Sequence, residues 1–219
     1  MRILLLIPVM IISLIPVSAQ SDPEAKTILE KVSSKNNSYK TIMTNFKYTI
    51  TSMQDNETHT EKGKIAMKGD QFHLSMGNTD ITFDGKNIYT YLKEANEINI
   101  TKPEPSNTSN GDFFLSNPRD LFKVKNDFKA KLNNEINIGS ITCYEIDLYP
   151  VNLKTKYLRI RTHIDKNTFQ IIDTKIFMKD GTNYLIELSN FQPNINISGT
   201  EFLFDQKKYP GAMVNDIRF

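Results

Sequence analysis

Tryptophan is absent from this sequence and cysteine occurs once, at Cys143. A single cysteine can close no intramolecular disulfide, which excludes the small secreted domains that depend on disulfide staples. Histidine is nearly as scarce: His59, His73 and His163 lie far apart, in no H-x-H or H-x-x-x-H pair, so metal-ligand spacing is missing. There is no G-x-S-x-G elbow, no P-loop and no dinucleotide fingerprint. With no nucleophile–base pair to point to, a β-rich hydrolase is the weakest of the functional classes considered, and no catalytic residue, metal or cofactor is expected. Charge of one sign is missing as well. The formal net charge is +2, with acids and bases interspersed and no basic stripe, so nucleic acid is not an expected partner.

Long apolar runs are confined to one place. Ile3 to Val17 is almost unbroken, follows Arg2 and leads to Val17-Ser18-Ala19, small residues at the −3 and −1 positions of a signal-peptide cleavage site. The run falls short of the about 20 residues a membrane-spanning helix needs. Residues 1–19 therefore read as a signal peptide cut after Ala19, and residues 20–219 as one domain, large enough to bury a core unaided. No cysteine stands at the cleavage site to carry a lipid, so the processed chain is expected to be soluble in the periplasm, as a monomer.

What the sequence has is alternation. After one helix, opened by Asp22-Pro23, carrying Ala25, Ile28, Leu29 and Val32 on one face and stopped at Asn36-Asn37, the period falls to two. Apolar residues alternate with polar ones in Thr44–Ile50, Ile65–Met67, Phe72–Met76, Ile81–Phe83, Ile88–Leu92 and Ile98–Ile100. They do so again in Tyr144–Leu148, Leu158–Ile164, Ile172–Met178 and Tyr184–Leu188. Gly69-Asp70, Gly77-Asn78, Asp84-Gly85, Gly139-Ser140 and Asp180-Gly181 mark turns between them. The expectation is a mainly β protein: one strongly curved antiparallel sheet of about eleven strands, an incomplete barrel closed by the N-terminal helix. His73 and His163 fall on the polar parity and read as solvated. Cys143 reads as a half-buried structural thiol.

The apolar parity nominates a cavity lining of Phe46, Tyr48, Ile50, Ile65, Met67, Phe72, Leu74, Met76, Phe83, Ile160, Ile176 and Met178. The same face would be needed for plain core packing, and parity alone does not separate the two uses. The polar stretch Lys102–Gly111 leads into Asp112–Phe122, where Phe113, Phe114, Leu115, Leu121 and Phe122 crowd together. This is either a short helix plugging one end of the sheet or a helical lid over a cavity.

The order of these features resembles the periplasmic outer-membrane lipoprotein carriers, the LolA family, over essentially the whole chain after residue 19. The resemblance rests on Leu29–Ser34, Met43–Phe46, Lys62–Gly69, Asn96–Ile100, Phe202–Phe204 and Tyr209–Gly211. Its most specific part is Asp84-Gly85-Lys86-Asn87-Ile88-Tyr89-Thr90-Tyr91. It implies an incomplete barrel closed by helices that takes acylated lipoproteins from an inner-membrane lipoprotein-releasing transporter and passes them to an outer-membrane receptor. The family's receptor-side relative is itself lipid-anchored, which the missing cysteine argues against. One departure stands out: Gly69 occupies the place of an arginine that holds the lid in well-studied members. A lipid- or lipoprotein-sensing regulatory module of the same shape is the alternative reading.

Overall fold

The computed structural model describes residues 21–103, 113–122 and 127–218. The expected signal peptide, residues 104–112 (most of the stretch expected to be a loop) and residues 123–126 lie outside the described residues. Among the described residues, no helix is long and apolar enough to cross a membrane.

Helix α1 spans Pro23–Ser38. Asp22 caps it, Oδ1 accepting from the Glu24 and Ala25 amides at 2.9 and 3.5 Å, and Pro23 takes the first position, where a missing N–H costs nothing. The helix runs on past Asn36-Asn37, where the sequence signals a stop. Asn36 continues the buried stripe of Ala25, Ile28 and Val32, and the last turn closes through Tyr39 N to Asn36 O. Burial on one face outweighs two residues of weak helix propensity.

Among the described residues twelve strands follow, against about eleven expected: β1 (Thr41–Ser52), β2 (Glu57–Lys68), β3 (Gln71–Met76), β4 (Thr79–Phe83), β5 (Ile88–Leu92), β6 (Glu97–Thr101), β7 (Phe128–Ile138), β8 (Ile141–Pro150), β9 (Tyr157–Asp165), β10 (Ile171–Met178), β11 (Thr182–Pro193) and β12 (Met213–Asp216). They form a single open, curled sheet in the order β12-β6-β5-β4-β3-β2-β1-β11-β10-β9-β8-β7. Two meanders, β1–β6 and β7–β11, are thus joined side by side along β1 and β11, where Phe46 faces Leu188 and Tyr48 faces Ile186. The β6–β12 pair is parallel, an exception to the antiparallel meander that alternation predicts. The sheet ends on β7 and β12 rather than closing.

The sheet's inner face and α1 share one continuous core, from Ile65 and Leu74 across Phe46 to Ile186, Ile176, Ile164 and Ile146. Buried Thr44, Thr162 and Thr174 complete that face with satisfied hydroxyls; Thr44 Oγ1, for example, donates to Ser189 O at 2.9 Å. Gly63 lies opposite Phe46 in the β1–β2 register. A Cβ there would come within 2.3 Å of the Phe46 ring and 2.5 Å of Ser75 O, so the missing side chain makes room for the ring.

Two bulges shift the parity that alternation implies. The β9–β10 register slips between Phe177 and Met178, which turns Tyr157 into the core and leaves Leu158 exposed. A second slip between Ile171 and Asp173 buries Ile171 and leaves Ile172 at the margin.

Candidate functional site

The inner face is built from alternate residues of neighbouring strands, since side chains two apart point the same way. Phe46, Tyr48, Ile65, Met67, Phe72, Leu74, Met76, Ile160, Ile176 and Met178 all belong to the inner-face cluster. Ile50 and Phe83 are half-buried and pack against it. All twelve nominated lining residues therefore meet on one surface. Several other members of it went unnominated. Ile42, Tyr157, Ile164 and Ile171 lie at strand ends or beside bulges, where the period-two signal is weakest.

The segment read as either a short plugging helix or a helical lid is broken into two short pieces. It comprises one helical turn, α2 (Phe113–Ser116), and a 3-10 turn at Pro118–Phe122. Proline has no N–H to donate and steers the residue before it away from helical geometry, so Pro118 prevents one continuous helix. Phe114 and Phe122 are buried in the inner-face core, and Leu115 and Leu121 are half-buried against it. The Phe113 side chain lies outside the described residues. Phe114 is only 1% exposed, its ring edge-on to Phe46 at 5.1 Å between centroids and stacked on Tyr48 at 6.1 Å. Tyr48 in turn stacks on Tyr184 at 5.9 Å, so one aromatic column crosses the seam between the two meanders.

Gly69, where the resemblance would place an arginine, sits in the β2–β3 turn with a φ of +54°, a conformation that suits glycine. A guanidinium is nevertheless present, and it comes from the other side. Arg119 of the 3-10 turn ion-pairs with Asp70, the residue after Gly69.

The outer face is finished in two ways. Over β1–β6, the segment after β11 packs as a strap. Phe202 is fully buried with Ala66 and Ile197, Phe204 stacks on Tyr89 at 4.5 Å, and Tyr209 meets Tyr91 at 4.4 Å. The Asp84 turn beneath the strap is held by its carboxylate, which accepts from the Lys86 and Asn87 amides at 2.7 Å each and from Tyr89 Oη at 3.1 Å. The Asp84-Gly85-Lys86 motif is thus a hairpin turn whose aromatic neighbours hold the strap.

Over β8–β10 the outer face is ionic. Asp147 accepts from Arg161 Nε and Nη2 at 2.7 and 2.9 Å and from Arg159 Nη1 at 3.0 Å. Burial pushes its carboxyl up, but hydrogen bonds from Arg161 and Asn133 and the charges of both arginines prevail and hold it at about 2. His163 lies 2.7 Å from Asp173 and 3.2 Å from Glu145. The hydrogen bond to Asp173 raises its pKa against the opposing effect of burial. His163 is therefore not solvated, and neither is His73, which is paired with Glu201 of the strap at 2.9 Å. Cys143 is fully buried rather than half-buried, and burial pushes its thiol up, away from a reactive thiolate. Among the described residues, no three His, Cys, Asp or Glu side chains gather as metal ligands do.

The family model for the outer membrane lipoprotein carrier protein LolA matches residues 15–119. No curated protein matches the sequence. Among solved structures, an uncharacterized conserved protein from Thermus thermophilus shares the fold at a TM-score of 0.55 and 14% identity, over 88% of this chain and 99% of that one. A DUF1329 family protein from Desulfovibrio piger aligns at 0.49 and 14% identity, over 86% of this chain and 100% of that one. A putative outer membrane lipoprotein-sorting protein domain from Vibrio parahaemolyticus aligns at 0.48 and 10% identity, over 82% and 96%.

Proposed function

Because the chain is LolA-like over residues 15–119, we propose that it is an exported carrier that binds the acyl chains of lipoproteins along the inner face of its curled sheet. It takes them from a transporter in the inner membrane and passes them to a receptor at the outer membrane. The physical problem is one of scale. Each buried methylene is worth about 0.8 kcal/mol, so three acyl chains hold a lipoprotein in a membrane by roughly 30 kcal/mol. A soluble carrier needs a comparable apolar surface and a way to keep it dry when empty.

The observation that carries this reading is the position of Phe114. Its ring occupies the middle of the inner face, between strands and over Phe46 and Tyr48, yet it is carried by a short, proline-broken insertion rather than by a strand. Withdrawal of that turn leaves the sheet's ladders intact and opens an apolar trough. In this reading Phe114 and Phe122 act as a lid that stands in for cargo. Met67, Met76 and Met178 suit a lining that must repack around different chains.

Native mass spectrometry of the protein, purified without detergent from cells that make acylated lipoproteins, tests the proposal. Adducts at lipoprotein masses are expected. Adducts of free lipid alone would favour the sensing module instead. An empty protein that also fails to take up a synthetic triacylated peptide would overturn the carrier reading.

A further inference from the structure

At one end of the trough the core opens into a cavity of about 110 Å³, where the end of α1, the start of β1, the end of β2 and the 3-10 turn meet. Its wall is divided by chemistry. Ile42, Met67 and Phe122 line it and also belong to the inner-face core. Asn36, Lys40 and Arg119 are among the residues that line the rest. Asn36 is 9% exposed, and its side-chain Nδ2 has no hydrogen-bond partner.

A buried amide donor left unpaired is destabilising, and native structures rarely keep one. Asn36 lines the cavity together with Arg119 and Lys40, two residues with cationic side chains. Arg119 engages Asp70 through Nη1, and a guanidinium has five N–H donors in a planar fork suited to carboxylate or phosphate. The cavity has room for a group of several heavy atoms. That is the scale of one phosphate or carboxylate group.

We propose that this cavity is a head-group site. It takes the phosphate or carboxylate of an anionic amphiphile on Asn36, Arg119 and Lys40, while the acyl chain leaves past Ile42, Met67 and Phe122 into the trough. The tail of this proposal rests on the carrier reading. The head does not, since the donors would hold a free anion as well. A carrier built this way discriminates among ligands of equal chain length by their charge. Bound ligand also bridges α1, β1 and the 3-10 turn.

Calorimetric titration of the chain from Gln20 onward, which contains every described element, tests this. The probes are 1-palmitoyl lysophosphatidylglycerol, 1-monopalmitoylglycerol and inorganic phosphate. A charge-assisted hydrogen bond retained in the complex predicts a preference of about tenfold or more for the phosphorylated lipid over the neutral one. Asn36→Leu, which fills the same space and removes the unpaired amide, should fold at least as stably and lose most of that preference. Arg119→Gln should lose it too. Asp70→Asn, which breaks the same ion pair and leaves the guanidinium, should keep it.

Equal affinity for the two lipids, or a preference that survives both Asn36→Leu and Arg119→Gln, overturns the site. Phosphate binding that is lost in the same two variants supports it and identifies a free anion as an occupant. If neither lipid binds, the carrier reading fails, and the phosphate titration alone decides the site: binding supports it, no binding overturns it.

Discussion

Phe114 and Phe202 are buried to the same degree on opposite faces of the same strands, 1% and 0% exposed, yet they are fastened in different ways. Phe202 belongs to a strap stitched down along its length. Thr41 Oγ1 donates to Ile195 O, His73 pairs with Glu201, Phe204 and Tyr209 stack on Tyr89 and Tyr91, and β12 hydrogen-bonds along β6. Phe114 sits on two short turns, which the ion pair of Arg119 with Asp70 ties to the β2–β3 turn. Burial measures what a ring gains from leaving water, whereas the covalent and hydrogen-bonded surroundings decide whether it can leave alone. The outer-face ring serves the fold, and the inner-face ring holds the place that the proposed ligand would take.

Four substitutions break or sharpen that contrast. Phe202→Ala has the largest expected effect, a loss of about 3–5 kcal/mol in urea unfolding with acyl-ligand affinity unchanged, because the strap stays pinned and the cavity cannot collapse. Phe114→Ala should lose about 2–3 kcal/mol, since its short turns can settle into the gap, and should bind acyl ligand more tightly. Weakened binding in Phe114→Ala would mean that the ring supports the site rather than competing for it.

Asp147→Asn probes the ionic part of the outer face. The folded carboxyl titrates at about 2 against an ordinary 3.8, so its contribution is fully present above pH 3.8 and lost as pH falls towards 2. It amounts to about 2 kcal/mol at neutral pH. The stability curves of wild type and Asp147→Asn should converge in that acid window and run parallel above it.

His163→Gln should show the smallest effect, with the opposite sign. A raised folded pKa stabilises below the ordinary 6.5 and the benefit fades as pH rises through the folded value. The variant should therefore be less stable than wild type at pH 5.5 and approach it at pH 9. A gap that widens towards high pH would contradict the assignment.

Much of this was readable from the sequence, and the parts that were not have identifiable causes. Period-two alternation places Phe46, Tyr48, Ile65, Leu74 and Ile176 on one face because a strand offers only two faces and one is wet. The same rule puts Leu158 on the wrong side, because a bulge adds a residue without leaving a mark in composition. Strand β7 escapes notice because its alternation is interrupted around Asn133-Asn134, where the register to β8 shifts between Leu132 and Glu135. Strand β12 is four residues long, largely exposed and paired in parallel with β6, so neither apolar period nor hairpin turn announces it. The half-polar cavity at Asn36 is the least legible feature. It joins residues from α1, β1, β2 and the 3-10 turn that are near only in the folded chain.

The seam between β1 and β11 has a consequence for how the molecule assembles. Within β1–β6 and within β7–β11 every strand pairs with its neighbour in sequence, so each meander forms through short loop closures. Pairing Phe46 with Leu188 spans most of the chain and must wait until β11 has been made. Until then β1 presents a bare edge twelve residues long, an aggregation-prone template for any strand nearby. In pulse-labelled hydrogen exchange, amides of β1 that donate to β2 should be protected ahead of those that donate to β11. The slow, vulnerable step of folding is then the zipping of two finished halves, and the aromatic column that crosses the seam is completed only when that step ends.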